Sequence, residues 1–283
     1  MAYNWGKNNI YFGIEKPLDK QPAQTLFRDL VYCPKCDTKL EYKDIKNYHI
    51  GNVICPKCNY TNPKWDYNCE IDYKNNKLII NNHKYPLKSN SIFNIYNYVA
   101  VISLLLELGY QDKDISNILE VSKITDSRFK EEKIGNITLI NHIAKGQNPV
   151  AISSVLEYVV NEKGSKDVLL MVDDTSDNRY SSETINWYYD SNFELLNNKD
   201  VKKVIICGKR NKDLYVRLLL ANIPREKIIS VENEYDMPKY LDKKIDKIFL
   251  LHDITAYDQS LEVEKIIKEV INNENWNIIS RIM

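Results

Sequence analysis

Glycine is scarce in this sequence, with eight in 283 residues, and none of them builds a phosphate-cradling loop. Neither G-x-x-x-x-G-K-[ST] nor G-x-G-x-x-G occurs. The chain by itself therefore lacks the backbone cradle a triphosphate needs. The G-x-S-x-G elbow and the H-E-x-x-H zinc helix are missing as well, so neither of those hydrolytic centres is encoded in its usual form. Net charge is also lacking. Thirty-nine Lys and Arg balance thirty-nine Asp and Glu, which leaves no general field for gripping nucleic acid, although a local patch is compatible with it. The longest apolar stretch, Tyr98 to Leu106, is about half the ~20 residues a membrane-spanning helix needs. The opening Met1-Ala2-Tyr3-Asn4-Trp5-Gly6-Lys7 has no apolar signal core. A cytoplasmic location is expected, with no transmembrane segment and with thiols kept reduced. What is present is ordinary: 43% hydrophobic and 28% charged residues exclude wholesale disorder. The length suits about two domains at roughly 100–200 residues each.

Reduced thiols make the cysteines informative. Four of the six form Cys33-Pro34-Lys35-Cys36 and Cys55-Pro56-Lys57-Cys58, separated by eighteen residues. This C-x2-C-x18-C-x2-C spacing is that of a tetrahedral zinc site. Each C-x-x-C turn brings two thiolates to one ion, and two such knuckles close a four-coordinate shell. A closed shell has no open position, so structural rather than catalytic zinc is expected. His49 lies between the knuckles as a substitute ligand but is not needed. Cys69 and Cys207 stand apart and read as small buried hydrophobes.

Periodicity divides the rest. A short strand is expected at residues 9–14, the ribbon at 30–62 and an antiparallel hairpin with an extension at 69–88. Helices follow at 92–108 and 112–120. From about residue 135 strand and helix alternate: strands over 167–174, 201–207, 227–231 and 247–252, helices over 149–161, 212–221 and 258–272. Apolar runs between helices indicate a parallel sheet covered on both faces. The fold class is α/β, with a first domain at 1–134 and a Rossmann-like domain at 135–283.

The densest polar feature begins where the first of those parallel strands ends. It runs from Asp173-Asp174-Thr175-Ser176-Asp177-Asn178-Arg179 to Trp187-Tyr188-Tyr189-Asp190-Ser191-Asn192-Phe193-Glu194. In open α/β sheets functional groups gather outside the carboxyl ends of the strands, so this is a candidate site. A solvated acidic loop over an aromatic plug is the plainer reading of the same residues. After a strand, Gly208-Lys209-Arg210 precedes a helix carrying Arg217. Together these suit either an anion site or, for Arg217, pairing on the helix surface.

The order of these segments resembles one family. The ribbon comes first, then Phe93-Asn94-Ile95-Tyr96-Asn97, then Lys145-Gly146-Gln147-Asn148-Pro149 and the acidic loop. Gly208-Lys209-Arg210-Asn211-Lys212-Asp213 with Arg217-Leu218, then Ile254-Thr255-Ala256, complete it. In that order they are similar to the MurT family, the Mur-ligase-like subunits of lipid II isoglutaminyl synthase. The resemblance implies a remnant of the Mur ligase central domain carrying the zinc ribbon, followed by a Rossmann-like C-terminal Mur ligase domain. It implies zinc on Cys33, Cys36, Cys55 and Cys58. It places Asn94, Asn97 and Arg128 toward nucleotide, with ATP and Mg as the family's cofactors, and puts Lys145 and Asn148 at the domain junction as further nucleotide- or anion-binding candidates. Arg210 is an anion-binding candidate. The C-terminal domain would lend an aspartate to a GatD-like class I glutaminase, completing that partner's Cys–His pair. Asp190 is the expected residue, with Asp174 and Asp177 next. The implied reaction amidates the D-glutamate of the lipid II stem peptide at the membrane surface.

The sequence departs from the family in several ways, among them Asp173-Asp174 for its Asn-Asp opening and Asp177-Asn178 for its Asp-Gly pair. The family's first hundred-odd residues, with the phosphate loop, have no counterpart here. The acidic loop is about three residues longer, and Tyr189 stands where the family has a second Trp. A non-catalytic scaffold of the same family is therefore a competing reading, and this chain alone is not expected to hydrolyse ATP. A zinc-ribbon nucleic-acid module, using Lys35, Lys39, Lys43, Lys46 and Lys57 with Tyr42 and Tyr48, is a third. Asp37, Glu41, Asp44 and the zero net charge weigh against it, so no nucleic-acid partner is expected.

Overall fold

The apolar run Val168–Val172 becomes the centre of the main sheet. A computed structural model describes residues 9–15, 30–47, 50–88, 92–122, 128–172, 185–242 and 244–272. These fall into two units that divide between Lys123 and Ile124.

The second unit is a six-stranded sheet in the order β11-β10-β9-β12-β8-β7. Its strands are β7 (Phe129–Ile134), β8 (Ile137–Ile143), β9 (Lys166–Met171), β10 (Val201–Ile206), β11 (Ile228–Ser230) and β12 (Lys247–His252). All neighbours are parallel except β7 and β8, which form an antiparallel hairpin at one edge. Every residue of β9 is buried, as expected for a strand with helices on both sides. Side chains alternate between two cores. Val168, Leu170 and Val172 join a cluster with α3 (Pro149–Asn161), α4 (Asn186–Asp190) and α5 (Asn211–Leu220). Leu169 and Met171 point the other way, into a cluster with α6 (Tyr257–Asn272) and the 3-10 segment Glu234–Tyr240.

This arrangement creates a crevice. Strands β8 and β12 are neighbours in register, yet β8 leads to α3 on one face and β12 leads to α6 on the other. Connections that part to opposite faces open a gap at the carboxyl ends of the strands, where ligands of such sheets bind.

The β7–β8 hairpin moves the domain boundary. The expected division at 134/135 falls inside its turn, at Gly135, whose φ is +60°. The two strands pair from Phe129↔His142 to Ile134↔Ile137. A two-residue Gly135-Asn136 turn between them is a hairpin signal, and it ties residues 129–134 to the second unit.

In the first unit a four-stranded sheet has the order β1-β4-β5-β6, from β1 (Phe12–Ile14), β4 (Tyr67–Asp72), β5 (Lys77–Ile80) and β6 (His83–Pro86). It is covered by α1 (Ile92–Glu107) and α2 (Asp112–Val121). Ile95, Val99 and Ile102 of α1 and Ile115 and Leu119 of α2 pack on Cys69, Leu78, Ile80 and Tyr85. The ribbon is built on β2 (Glu41–Asn47) and β3 (Ile50–Ile54), with a small core of its own from Leu40, Val53 and Tyr60.

Candidate functional site

Two knuckles of the same design hold the four ribbon cysteines. In the first, Cys33 N–H donates to the Thr38 carbonyl and Asp37 N–H to the Cys33 carbonyl; in the second, Cys55 N–H donates to Tyr60 and Asn59 N–H to Cys55. Asp37 and Asn59, each following the last cysteine of its knuckle, have φ of 53° and 55°. That is the left-handed region, which Asn and Asp tolerate best among non-glycine residues. The result is four Sγ atoms all within 4.8 Å of one another. Cys33–Cys58 and Cys36–Cys55 are 3.5 Å apart. A tetrahedron with Zn–S of about 2.3 Å has an edge of roughly 3.8 Å, so the donor set and its size fit zinc. Hydrogen bonding with Thr38, side chain and backbone, holds the Cys36 thiol down at about 6. The Tyr60 N–H acts the same way on Cys58, but desolvation and the other thiols outweigh it and push Cys58 up to about 12.

The other sulfurs are core. Cys69 is fully buried, and burial pushes its thiol up to about 12. Cys207 is buried beneath the Leu170 carbonyl, 3.7 Å away. Tyr42, offered above as a stacking base-binder, is half-buried and donates its hydroxyl to the Leu30 carbonyl. His49 and Tyr48 lie outside the described residues.

The crevice at the sheet's carboxyl edge is a cavity of about 440 Å³ lined by Lys145, Asn148, Trp187, Arg210, Asp253 and Thr255, among others. Three of the expected site residues, Lys145, Asn148 and Arg210, are thus brought together. Asn148 caps α3 through its side-chain oxygen, which accepts from Ala151 N–H at 3.0 Å, so only its amide nitrogen faces other work. Arg210 donates to Asp213 at 2.6 Å. Asp253, which the motifs did not single out, ties the two walls. It accepts from the Gly146 N–H on one loop and, at 3.1 Å, from the Thr255 N–H on the other. Its signal in the sequence was the Asp-x-Thr turn after a strand. Two cations and one carboxylate around a cavity of this size suit a small anionic or zwitterionic group.

One wall of the cavity is α4, through Trp187 and Tyr188. The same five-residue helix ends at Asp190, which is exposed. The backbone around it is tied down. Arg217, 3% exposed, donates Nε–H to the Tyr188 carbonyl and Nη2–H to the Ser191 carbonyl, each at 2.8 Å. It also reaches both carboxylate oxygens of Glu194, at 2.8 and 2.9 Å. Ser153 of α3 accepts from Asn192 N–H at 2.9 Å. The Arg217 guanidinium is thus engaged by two backbone carbonyls and by the carboxylate of the half-exposed Glu194.

Asn94 and Asn97 sit one turn apart on α1 in the first unit, the former half-buried and the latter exposed. Arg128 is exposed just before β7, and its carbonyl accepts from Ile143 N–H at 3.1 Å. Asp174 and Asp177 lie outside the described residues. Among the described residues no helix is long and apolar enough to cross a membrane.

Comparison with known proteins supports the resemblance drawn from motif order. Residues 146–257 match the family described as MurT ligase C-terminal. The lipid II isoglutaminyl synthase (glutamine-hydrolyzing) subunit MurT of Staphylococcus aureus (strain COL) is 28% identical over 218 residues, 76% of this chain and 48% of that protein. The same subunit of Streptococcus pneumoniae (strain ATCC BAA-255 / R6) is 24% identical over 274 residues, 93% of this chain and 59% of that one. The chain thus spans about half of the curated relatives it matches. Among solved structures, MurF from Acinetobacter baumannii superposes with a TM-score of 0.55 at 13% identity, over 74% of this chain and 46% of that one. MurC from Thermotoga maritima gives 0.51 at 15% identity, again over 74% and 46%. At such identities the likeness is one of fold alone: a mixed α/β architecture resembling that of Mur ligase domains.

Proposed function

We infer, from its likeness to the MurT family, that this chain is the Mur-ligase-like subunit of a glutamine-dependent amidotransferase acting on the D-glutamate of the lipid II stem peptide. A carboxylate is a poor acyl donor. Phosphorylation by ATP would convert it to an acyl phosphate, and ammonia would then displace phosphate to leave the amide. Ammonia would come from glutamine on a class I glutaminase, whose cysteine attacks the side-chain carbonyl. The single observation that carries the reading is Asp190, an exposed carboxylate on a tied-down backbone at the carboxyl edge of the sheet. Set against the partner's histidine, it would fix the imidazole tautomer and stabilise the imidazolium. Lys145 and Arg210 would hold an anionic group of the substrate in the cavity beside α4.

The residues fit the proposed cofactors unequally. The four cysteines suit a closed structural zinc site that pins the ribbon. By family resemblance Asn94 and Asn97, in the first unit, are candidates for an adenine pocket, and Arg128, in the second, is a candidate for a nucleotide contact of its own. The sequence given holds no phosphate loop, so no step on ATP or Mg is assigned to it; a non-catalytic scaffold of the same family is the second reading.

Glutamine hydrolysis by the complex of this chain with a class I glutaminase tests the first reading. Asp190→Asn is expected to lower kcat by about 10³–10⁴, as loss of a triad carboxylate does; an unchanged rate removes the assignment. ATP-dependent amidation of lipid II by the same complex separates ligase from scaffold.

A further inference from the structure

We propose that Arg217 is the positioning residue for Asp190, holding the carboxylate in its working place through the backbone of residues 188–194. The inference rests on the reading of Asp190 as a triad member. It stands on geometry that the reading does not use.

A five-residue helix cannot hold itself together, since helices of one turn gain too few bonds to offset nucleation. Its terminal carbonyls have no partners of their own. In α4 that deficit is met from outside. The Arg217 guanidinium takes the carbonyls of Tyr188 and Ser191, which bracket Asp190, and then the carboxylate of Glu194 beyond them. One planar fork thus spans the turn from two residues before Asp190 to four after it. A lysine, with one point of charge, cannot copy this pattern.

The neighbours of Asp190 are fixed as well. Tyr188 and Phe193 are buried, and the guanidinium lies 5.6 Å from the Phe193 ring. Ser191 is buried, with its hydroxyl donating to the Trp187 carbonyl at 2.6 Å. Between these anchors Tyr189 and Asp190 are exposed. Arg217, 3% exposed, turns its guanidinium to the chain's own carbonyls and to Glu194, an arrangement suited to orienting a carboxylate that must meet another protein's histidine to within about 0.5 Å.

The test measures glutamine hydrolysis by the complex with the class I glutaminase for Arg217→Lys, Asp190→Asn and the double variant, together with the affinity of the two subunits. Expected is a loss of about 10- to 100-fold in kcat for Arg217→Lys, the scale of a misplaced catalytic group. The KM for glutamine and the subunit affinity should stay within about two-fold, because binding does not depend on the aspartate's orientation. In the Asp190→Asn background Arg217→Lys should cost nothing further. If Asp190→Asn cripples the enzyme but Arg217→Lys does not, or if the two losses multiply, Arg217 does not act through Asp190 and the proposal fails while the triad reading stands. If Asp190→Asn is harmless, both fall. Should Arg217→Lys not fold, Glu194→Gln, at the half-exposed end of the fork, takes its place. A several-fold loss of kcat that disappears in Asp190→Asn supports the proposal, and a full rate overturns it.

Discussion

The backbone N–H of Gly146 donates to the carboxylate of Asp253, joining the loops that leave neighbouring strands for opposite faces of the sheet. A β-carbon at Gly146 would lie 2.6 Å from Asp253 Oδ2 and 3.5 Å from the Val172 carbonyl. A side chain at this position would therefore push the Asp253 carboxylate off the N–H it accepts from.

Gly146→Ala should destabilise the protein by about 1–3 kcal/mol, the range for forcing atoms into a filled site. Thermal unfolding measures it. Asp253→Ala removes both the clash and the tie, so the two changes should be strongly non-additive. Simple additivity would show that the two loops are not coupled.

Asp167, at the start of β9, is 0% exposed and its Oδ1 has no partner among the described residues. Burial raises its carboxyl to about 6, against 3.8 in the unfolded chain, despite the Asp242 N–H that donates to Oδ2 at 2.7 Å. The folded state thus holds this proton more tightly than the unfolded state. Its effect on stability is absent below about pH 4 and becomes a penalty as pH rises from there to about 6. Asp167→Asn should remove that slope and raise stability at pH 8 by about 1–3 kcal/mol. Denaturant melts of both proteins at pH 4, 6 and 8 decide; parallel curves would refute the assignment.

Glu264 is 4% exposed on α6 and is held by Lys130 of β7 at 2.5 Å, Lys268 at 2.8 Å and Asn141 of β8 at 3.1 Å. Burial opposes its ionisation, but these hydrogen bonds together outweigh it and hold the carboxyl below its ordinary range. Here the sign is opposite to that of Asp167: the stabilisation is present above about pH 4.5 and fades as pH falls below it. Glu264→Ala should cost about 1–3 kcal/mol at neutral pH, since it removes the hydrogen bonds of a buried carboxylate while Lys130 and Lys268 keep Glu132. The loss should shrink in acid. A pH-independent loss would point to packing alone.

Protein purified without added metal should carry one zinc per chain, released together with four titratable thiols on chelation. Hydrogen exchange should then rise over residues 30–62, while the second unit, which shares none of the ribbon's small core, keeps its protection. A metal-free protein with an ordered ribbon would end the zinc assignment.

Much of this was legible along the chain. Helix Pro149–Asn161 and strand Lys247–His252 have the expected bounds, because each is a long periodic segment with clear stops. The β7–β8 hairpin was not foreseen, since Phe129–Ile134 is a charged, half-buried edge strand with a weak pattern. Asp253 was missed for a different reason. It reads locally as a turn residue, and its second partner, Gly146, is remote in sequence.

The cysteine spacing, the alternation of strand and helix and the order of motifs were set by the amino-acid sequence alone, because each depends on residues that are near neighbours or on simple periods. Which groups meet was decided only by tertiary structure. The strand order places the loops after β8 and β12 side by side, and the packing of α5 beneath α4 brings Arg217 to the carbonyls around Asp190. Those contacts depend on how layers stack, and no local pattern encodes that.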